Sequence, residues 1–316
     1  MKIVVVGSGI VGTATGFGLK QGNDITFLDI NPITVSALRE QGYDARLTSD
    51  ITGLTFDMVM VCVSTPSSPS GAVELGHIIK AMDTLETLLL QNNKWSLVVI
   101  RSTVPPTTTE HILAPLLERH GLRRGKDFGL CMNPEFLRAK SSVEDFAHPW
   151  VTVIGELDMR SGDMLEELYR PFGGKLFRVP IIEAELIKYV NNLRNALVIS
   201  FTNEMWLLNR SMGSPADLNR VFDVVTQSAE SAWNPRYGSI GGQPYGGTCL
   251  PKDTKGMFHF AMTQGHSMPL FGAVIHVNTL MEAMAEMGVV PQAQIEGHCW
   301  QPAPNIVCEK EEVLSQ

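Results

Sequence analysis

The segment KIVVVGSGIVG, Lys2 to Gly12, decides how this chain is read. Its opening run of β-branched residues predicts a strand, and Gly7, Gly9 and Gly12 follow in a G-x-G-x-x-G pattern. The glycines alone carry little weight. Set between a strand and a segment of helical spacing, they meet three physical demands. These are a tight turn at Gly7, close approach of a pyrophosphate to the backbone at Gly9, and helix–sheet packing at Gly12. Asp29 ends the next predicted strand, where a carboxylate accepts hydrogen bonds from ribose hydroxyls and repels a 2′-phosphate. The expected ligand is NAD rather than NADP.

Outward from this segment, DITFLDI, FDMVMVCV, WSLVVIRS and DFGLCMN also read as strands, some of them continuously apolar. Continuous apolar strands are covered by helices on both faces. The intervening TATGFGLKQG and HIIKAMDTLETLLLQN have helical spacing, so the alternation predicts a doubly wound, Rossmann-type parallel sheet of the α/β class. Near Ile181 the texture changes. IIEAELIKYVNNLRNALVISFTNEMWLLNR has no Gly or Pro and places Leu186, Val190, Leu193 and Leu197 on one apolar stripe, enough to join domains or pair with a second subunit. SPADLNRVFDVVTQ predicts a further helix with Ser214 as N-cap and Pro215 in the first turn, and another runs from Phe271 to Met287. The expected organisation is a dinucleotide-binding domain over 1–180, an all-helical dimerisation domain over 181–290, and an extended Pro- and Gln-rich tail over 291–316.

The bulk properties agree. The 316 residues suit about two domains. A 44% hydrophobic content fills an ordinary core, and the net charge of -8 disfavours non-specific binding to nucleic acid or an acidic membrane. Met1 and Lys2 lead directly into the first strand without a signal-like apolar run, and no stretch is apolar over the ~18 residues of a membrane span. Cys62, Cys131, Cys249, Cys299 and Cys308 are an odd, scattered set that suits reduced thiols and a cytoplasmic location. His298, Cys299 and Cys308 lack the paired spacing of a zinc site, so no metal is expected.

A second segment, GGTCLPKD (Gly246–Asp253), raises the question of chemistry. Pro251 suits a first helical turn and would place Cys249 just ahead of a helix N-terminus, whose field favours a thiolate; the alternative is an incidental thiol. Asp253 would lie in the same turn, as a cap or as a working acid. Lys188 and Asn192 stand four apart on one face of the long helix, away from the Leu186 stripe, as a solvated face or as groups offered to a ligand. Glu135 in MNPEFLR and Thr103 in RSTVPP follow predicted strands at the carboxyl edge, where such sheets bind ligands.

Taken together, VSTP (Val63–Pro66), RSTVPPTT (Arg101–Thr108), NPEFLR (Asn133–Arg138), SSVEDF, AELIKYVNN and GGTCLPKD resemble, in order and spacing, the UDP-glucose/GDP-mannose dehydrogenase family, over residues 1 to about 285. The resemblance implies an NAD-dependent enzyme that oxidises the primary alcohol of a nucleotide sugar to a carboxylate in two hydride transfers. Cys249 would capture the aldehyde as a thiohemiacetal and carry the thioester. Lys188 and Asn192 would stabilise oxyanions, Asp253 and Glu135 would handle water and protons, and Thr103 would position a water.

The same resemblance implies cofactor contacts from Gly7, Gly9, Ile10, Val11, Gly12, Asp29, Ser64, Thr65, Pro66 and Thr103. It implies substrate contacts from Glu135, Phe136, Leu137, Lys188, Asn192, Arg236, Tyr245 and Gly246, and a homodimer formed through the long helix from about residue 183.

The pattern departs from the family in three places. Ala139, followed by Lys140, stands where a second glutamate is usual, and the loop from Arg236 to Cys249 is short. Family members continue into a third α/β domain that grips the nucleotide, where this chain has only its tail. The substrate is accordingly a nucleotide sugar, a related nucleotide, or a smaller alcohol. Two other readings stand beside it. A two-electron enzyme similar to β-hydroxyacid dehydrogenases, acting on a small hydroxy acid, would have no need of a thiol. A non-catalytic NAD-binding dimer would have no need of the whole polar set.

Overall fold

Strands β1 (Lys2–Val6), β2 (Asp24–Asp29), β3 (Asp44–Leu47), β4 (Met58–Val61), β5 (Ser96–Ile100), β6 (Phe128–Met132), β7 (Val151–Glu156) and β8 (Lys175–Pro180) form one sheet. Its order is β3-β2-β1-β4-β5-β6-β7-β8. The computed structural model describes residues 1–92, 94–229, 238, 241–247 and 249–290. The order reverses between β1 and β4, and this switch point opens a crevice at the strands' carboxyl ends. The expected all-parallel sheet needs one correction, because β6 and β7 run antiparallel, with Cys131 opposite Glu156. The connection between them carries the Glu135 loop and α5 (Ser142–Ala147), which packs on α1 (Ile10–Leu19) instead of crossing the sheet.

The central strands are buried on both faces, and their alternating side chains feed two cores. Val4, Val59, Val98 and Leu130 pack on one side with Ile78, Met82, Leu85 and Leu88 of α3 (Gly76–Asn92). Val5, Met60, Val99 and Cys131 pack on the other with Leu19 of α1, Val35 and Leu38 of α2 (Pro32–Glu40), and Leu165 and Leu168 of α6 (Met159–Tyr169). Each such side chain, fully buried, contributes roughly 1.5–3 kcal/mol.

After α4 (Ala114–Leu117), α5 and α6, the uninterrupted helix-forming stretch becomes α7 (Ile181–Ser211). Its first turns bury Ile181, Ala184, Glu185 and Lys188, which are i, i+3, i+4 and i+7 on one face. Gly155 on β7 makes this docking possible, since a Cβ there would press on Ala184 and on the Ile181 backbone. The expected apolar stripe faces outward, with Val190 59% and Leu193 66% exposed.

The chain divides into two compact units, Met1–Leu193 and Arg194–Gln316, with the division falling inside α7. Described residues of the second unit form the rest of α7, α8 (Leu218–Ser228), and helices Leu250–Thr263 and Pro269–Glu286. Ser214 is not the cap of α8. Asp217 is, accepting from the amides of Asn219 and Arg220, because the helix begins at Leu218 and Asp217 is the side chain that reaches its first amides. The buried apolar cluster here is small: Leu208, Ala261 and Met268, with Met205, Phe258 and Phe271 against it. A polar anchor adds to it. Glu204, 6% exposed, accepts from the amides of Leu270 (2.8 Å) and Phe271 (3.1 Å) and so caps the last helix.

Glu204→Ala strands those two amides and is expected to lower the unfolding free energy by about 1–3 kcal/mol. Urea denaturation reads the loss, and an unmoved midpoint would refute the anchor.

Candidate active site

The turn between β1 and α1 is built as the glycine pattern requires. Gly7 has φ +88°, and a Cβ there would lie 2.9 Å from the Val63 amide nitrogen. A Cβ on Gly12 would overlap the Gly7 carbonyl oxygen, so that glycine serves packing. Gly9 differs from both: nothing lies within 4 Å of a Cβ built on it. The space beside Gly9 is open and lies at the N-terminus of α1, where backbone amides favour a phosphate.

That space opens into a cavity of about 690 Å³ along the switch point. Its walls include Gly7, Gly9, Ile10, Val11, Asp29, Ser64, Thr65 and Thr103, while Gly12 and Pro66 are not among them. Asp29 Oδ2 accepts from the Ser8 amide at 2.6 Å and Oδ1 from that of Asn31 at 2.8 Å, which fixes the carboxylate at the cavity edge. Size, cradle and acid fit a dinucleotide with free ribose hydroxyls, that is, NAD. Thr65 Oγ1 donates to the Thr103 carbonyl at 2.7 Å, and Ser102 Oγ to that of Val63 at 2.7 Å, so the ends of β4 and β5 are laced together.

Beyond β6 the wall contains Glu135, and Glu135 meets Lys188. The Lys188 ammonium donates to the Glu135 carbonyl at 2.5 Å and to its Oε1 at 2.9 Å. The other carboxylate oxygen accepts from the Leu137 amide at 2.7 Å, and the Phe136 ring centroid lies 5.5 Å from Nζ. The two side chains are 8% and 13% exposed, so neither is the solvated group that a helix face or a loop would present. Asn192, one turn on, is exposed, and its Oδ1 accepts from Asn191 Nδ2 at 3.3 Å.

Sequence reasoning missed a neighbour. Glu185, fully buried on the face that carries Lys188, accepts from the amides of Thr107 (2.5 Å) and Thr109 (2.8 Å). Thr107 is held at φ +75°, a left-handed conformation that threonine adopts only under constraint. Glu185 therefore anchors the loop that carries Thr103, and burial raises its carboxyl against the pull of those amides. The available signal was its spacing, three residues before Lys188. Thr48, His77, Lys80 and Thr84 also reach the cavity wall from positions with no motif of their own, and Ser8 does so from a variable position of the glycine pattern.

In the second unit, Cys249 stands at the N-cap of helix Leu250–Thr263 with Pro251 in the first turn, as expected. Its carbonyl accepts the Asp253 amide at 2.8 Å, and Asp253 pairs with Lys252 at 2.9 Å in the open. Burial separates the described cysteines. It pushes the Cys62 thiol up to about 11 and raises Cys131 further, whereas Cys249 is exposed. Asn278, 6% exposed, binds the Tyr245 amide at 2.7 Å and its carbonyl at 3.1 Å, and so holds the segment leading through Gly246. Arg236, the tail from 291 and its His298, Cys299 and Cys308 lie outside the described residues.

Gly9→Val is expected to abolish NAD binding, measured by titration calorimetry, without shifting the melting temperature, because its side chain occupies only the ligand's space. Gly12→Ala should instead lower stability by about 1–3 kcal/mol through overpacking. Undiminished NAD affinity in Gly9→Val would refute the cradle.

The chain matches the model of the NAD binding domain of the UDP-glucose/GDP-mannose dehydrogenase family over residues 43–173, and that of the family's central domain over 182–280. It is similar to the GDP-mannose 6-dehydrogenase of Pseudomonas aeruginosa, 32% identical over 301 residues that cover 88% of this chain and 68% of that one. A UDP-glucose 6-dehydrogenase of Bacillus subtilis is 32% identical over 305 residues, covering 90% and 67%. Among solved structures, GDP-mannose dehydrogenase of Pseudomonas aeruginosa in a ternary complex superposes with a TM-score of 0.84 at 30% identity, over 92% of this chain and 72% of that one. A UDP-glucose dehydrogenase of Pyrobaculum islandicum gives 0.65 at 30% identity, over 90% and 69%. No helix among the described residues is long and apolar enough to cross a membrane. The chain belongs to the UDP-glucose/GDP-mannose dehydrogenase family and is an NAD-dependent dehydrogenase acting on a CH–OH group.

Proposed function

We propose that the protein oxidises the primary alcohol of a nucleotide sugar to a carboxylate in two successive hydride transfers, with Cys249 as covalent catalyst. Two of the relatives are named for GDP-mannose and UDP-glucose, and this supports the substrate class. The observation that carries the reading is Glu135 in the wall of a dinucleotide-sized cavity, paired there with the buried Lys188. Of the three donors on the ammonium, two are committed to Glu135, which leaves one for an oxygen of the substrate.

NAD supplies the hydride acceptor when bound, held by Gly7, Gly9, Ile10, Val11, Asp29, Ser64 and Thr65. The remaining work falls to the protein's own side chains. In the first oxidation the alcohol proton passes to a base, for which Glu135 is placed, as hydride leaves the carbon. Lys188 and Asn192 stabilise the oxygen that becomes a carbonyl. An aldehyde has no good hydride to release until a nucleophile adds. The Cys249 sulfur therefore forms a bond to the carbonyl carbon, and its proton goes to the oxygen, giving a thiohemiacetal. Loss of the second hydride leaves a thioester. Water oriented by Asp253, with Thr103 positioning it, adds to that carbon; the C–S bond breaks and a proton returns to sulfur. An alcohol and one water are thus consumed, and one acid, two hydrides and their protons are released.

We read residues 1–180 as the NAD-binding domain, 181–290 as the helical central domain and 291–316 as a tail. We also read the protein as cytoplasmic and as a homodimer, its outward-facing stripe on α7 covered by a second copy; a contiguous apolar face of that kind supports an interface.

Counting NADH formed per substrate consumed, across nucleotide sugars, nucleotides and small hydroxy acids, tests the chemistry. Two per nucleotide sugar is the expected result, and one would show a two-electron enzyme. Cys249→Ala should cut acid formation by roughly a thousandfold or more, as loss of a covalent nucleophile does, with NAD affinity unchanged; undiminished acid would remove the mechanism. Light scattering should give twice the chain mass for the wild type and a smaller species for Leu193→Asp. A monomeric wild type would refute the dimer.

A further inference from the structure

Arg101 directly follows β5, lines the 690 Å³ cavity and is 4% exposed. A charge that far from water ordinarily has a counter-charge. Its partners here are neutral. Nη1 donates to Asn133 Oδ1 and, at 2.6 Å, to the Tyr169 hydroxyl; the guanidinium carbon lies 5.6 Å from the Phe146 ring centroid; and Nε, shut off from solvent, has no hydrogen-bond partner. Glu135 and Asp145 border the same small adjoining cavity, but they are paired with Lys188 and Arg138. The Cys62 thiol beside it stays neutral, pushed up to about 11 by burial. Among the described residues, one whole positive charge is left uncompensated in a dry wall.

Its place in the cavity gives that charge a target. Asp29 at the end of β2 and Gly9 after β1 mark the adenosine and pyrophosphate end. The other half of a dinucleotide then extends across the switch point over the ends of β4 and β5, where Arg101 stands with Ser64, Thr65, Ser102 and Thr103. The nicotinamide ring carries a positive charge when oxidised and none once it has accepted hydride. A fixed buried cation disfavours the charged form, and a low-dielectric wall screens it little. The Lys188–Glu135 pair is neutral as a unit, and Lys80 on the cavity wall is exposed and screened by solvent.

We propose that the uncompensated charge of Arg101 biases the bound dinucleotide toward its reduced form, so that NADH is held more tightly than NAD and hydride removal from an alcohol is favoured. The inference rests on the reading that this cavity holds NAD. It makes Arg101 a tuning residue rather than a proton carrier, since guanidinium keeps its proton throughout.

The test compares the dissociation constants of NADH, by fluorescence, and of NAD, by competition, in the purified full chain at pH 7. Arg101→Met should lower the ratio of the NAD constant to the NADH constant by roughly tenfold, which corresponds to about 1.4 kcal/mol. Arg101→Lys, which keeps a cation, should preserve the ratio. Asn133→Asp offers a second route, since it places a carboxylate against the guanidinium and should lower the ratio with Arg101 still present, even if Arg101→Met does not fold. A ratio unmoved in Asn133→Asp, or in a folded Arg101→Met, overturns the proposal. Wild-type affinities in Gly9→Val would instead place the dinucleotide outside this cavity and remove the reading beneath it.

Discussion

An ammonium buried in a protein wall demands a partner, because leaving it dry and unpaired costs several kcal/mol. Among the described residues Lys188 takes Glu135 as its hydrogen-bond partner, through both the carbonyl and the carboxylate. The consequence is mechanical as well as electrostatic, for Glu135 lies three residues past the end of β6 and Lys188 lies on α7. Glu185, one turn earlier, ties the same helix face to the loop after β5, and Gly155 lets that face sit close on β7. Three strand ends are thus referred to one short stretch of one helix. Thr103 inherits its position from this arrangement, being held by Thr65 on one side and by a loop pinned to Glu185 on the other.

The glycine turn supplies the complementary constraint. Gly7 and Gly12 are fixed by contacts that a side chain would break, whereas Gly9 is fixed by nothing the protein contains. On the proposed reading, that contrast separates glycines that serve folding from one that serves a ligand. Asp29 is held by two backbone amides and so faces the cavity without a choice of rotamer. On the proposed reading, the carboxylate at one end of the crevice selects the ribose and the guanidinium at the other tunes the ring. Charges so placed must be rigid to be useful, which is why both are bound to groups that do not titrate near neutrality.

Much of the first unit was legible in sequence because its central strands are short, continuously apolar and punctuated by glycine. β3, with the sequence DARL, and β8, KLFRVP, lie at the two edges of the sheet, mix charged with apolar residues and carry no comparable pattern. The antiparallel turn of β7 depends on where α5 packs, a tertiary choice without a local code. Ser214 looked like a cap by type, but the cap is set by which side chain reaches the first amides, and Asp217 does. For the candidate site, motif spacing singled out Glu135, Lys188, Asp29 and Cys249. It could not find the burial of Lys188, since a lysine on a long helix reads as solvated until its partner from a distant loop is known. Arg101 lies within the RSTVPPTT motif, yet the absence of a counter-charge is visible only in three dimensions.

The described part of the second unit carries the reverse balance, with few buried apolar groups and anchors that are polar: Glu204 on helix Pro269–Glu286 and Asn278 on the Tyr245 segment. The chemistry proposed for Cys249 follows from position rather than from residue type. Cys62 and Cys131 are deep in or beside the sheet, where burial suppresses the thiolate and with it nucleophilicity. An attacking sulfur has to be reachable and has to face groups that tolerate negative charge. Among the described cysteines, Cys249 meets the first demand by exposure and the second by standing at a helix N-terminus. Pro251, which enters the first turn without needing a hydrogen bond, lets the helix start there, so the residues that read as suggestive neighbours of the cysteine are those that build its environment.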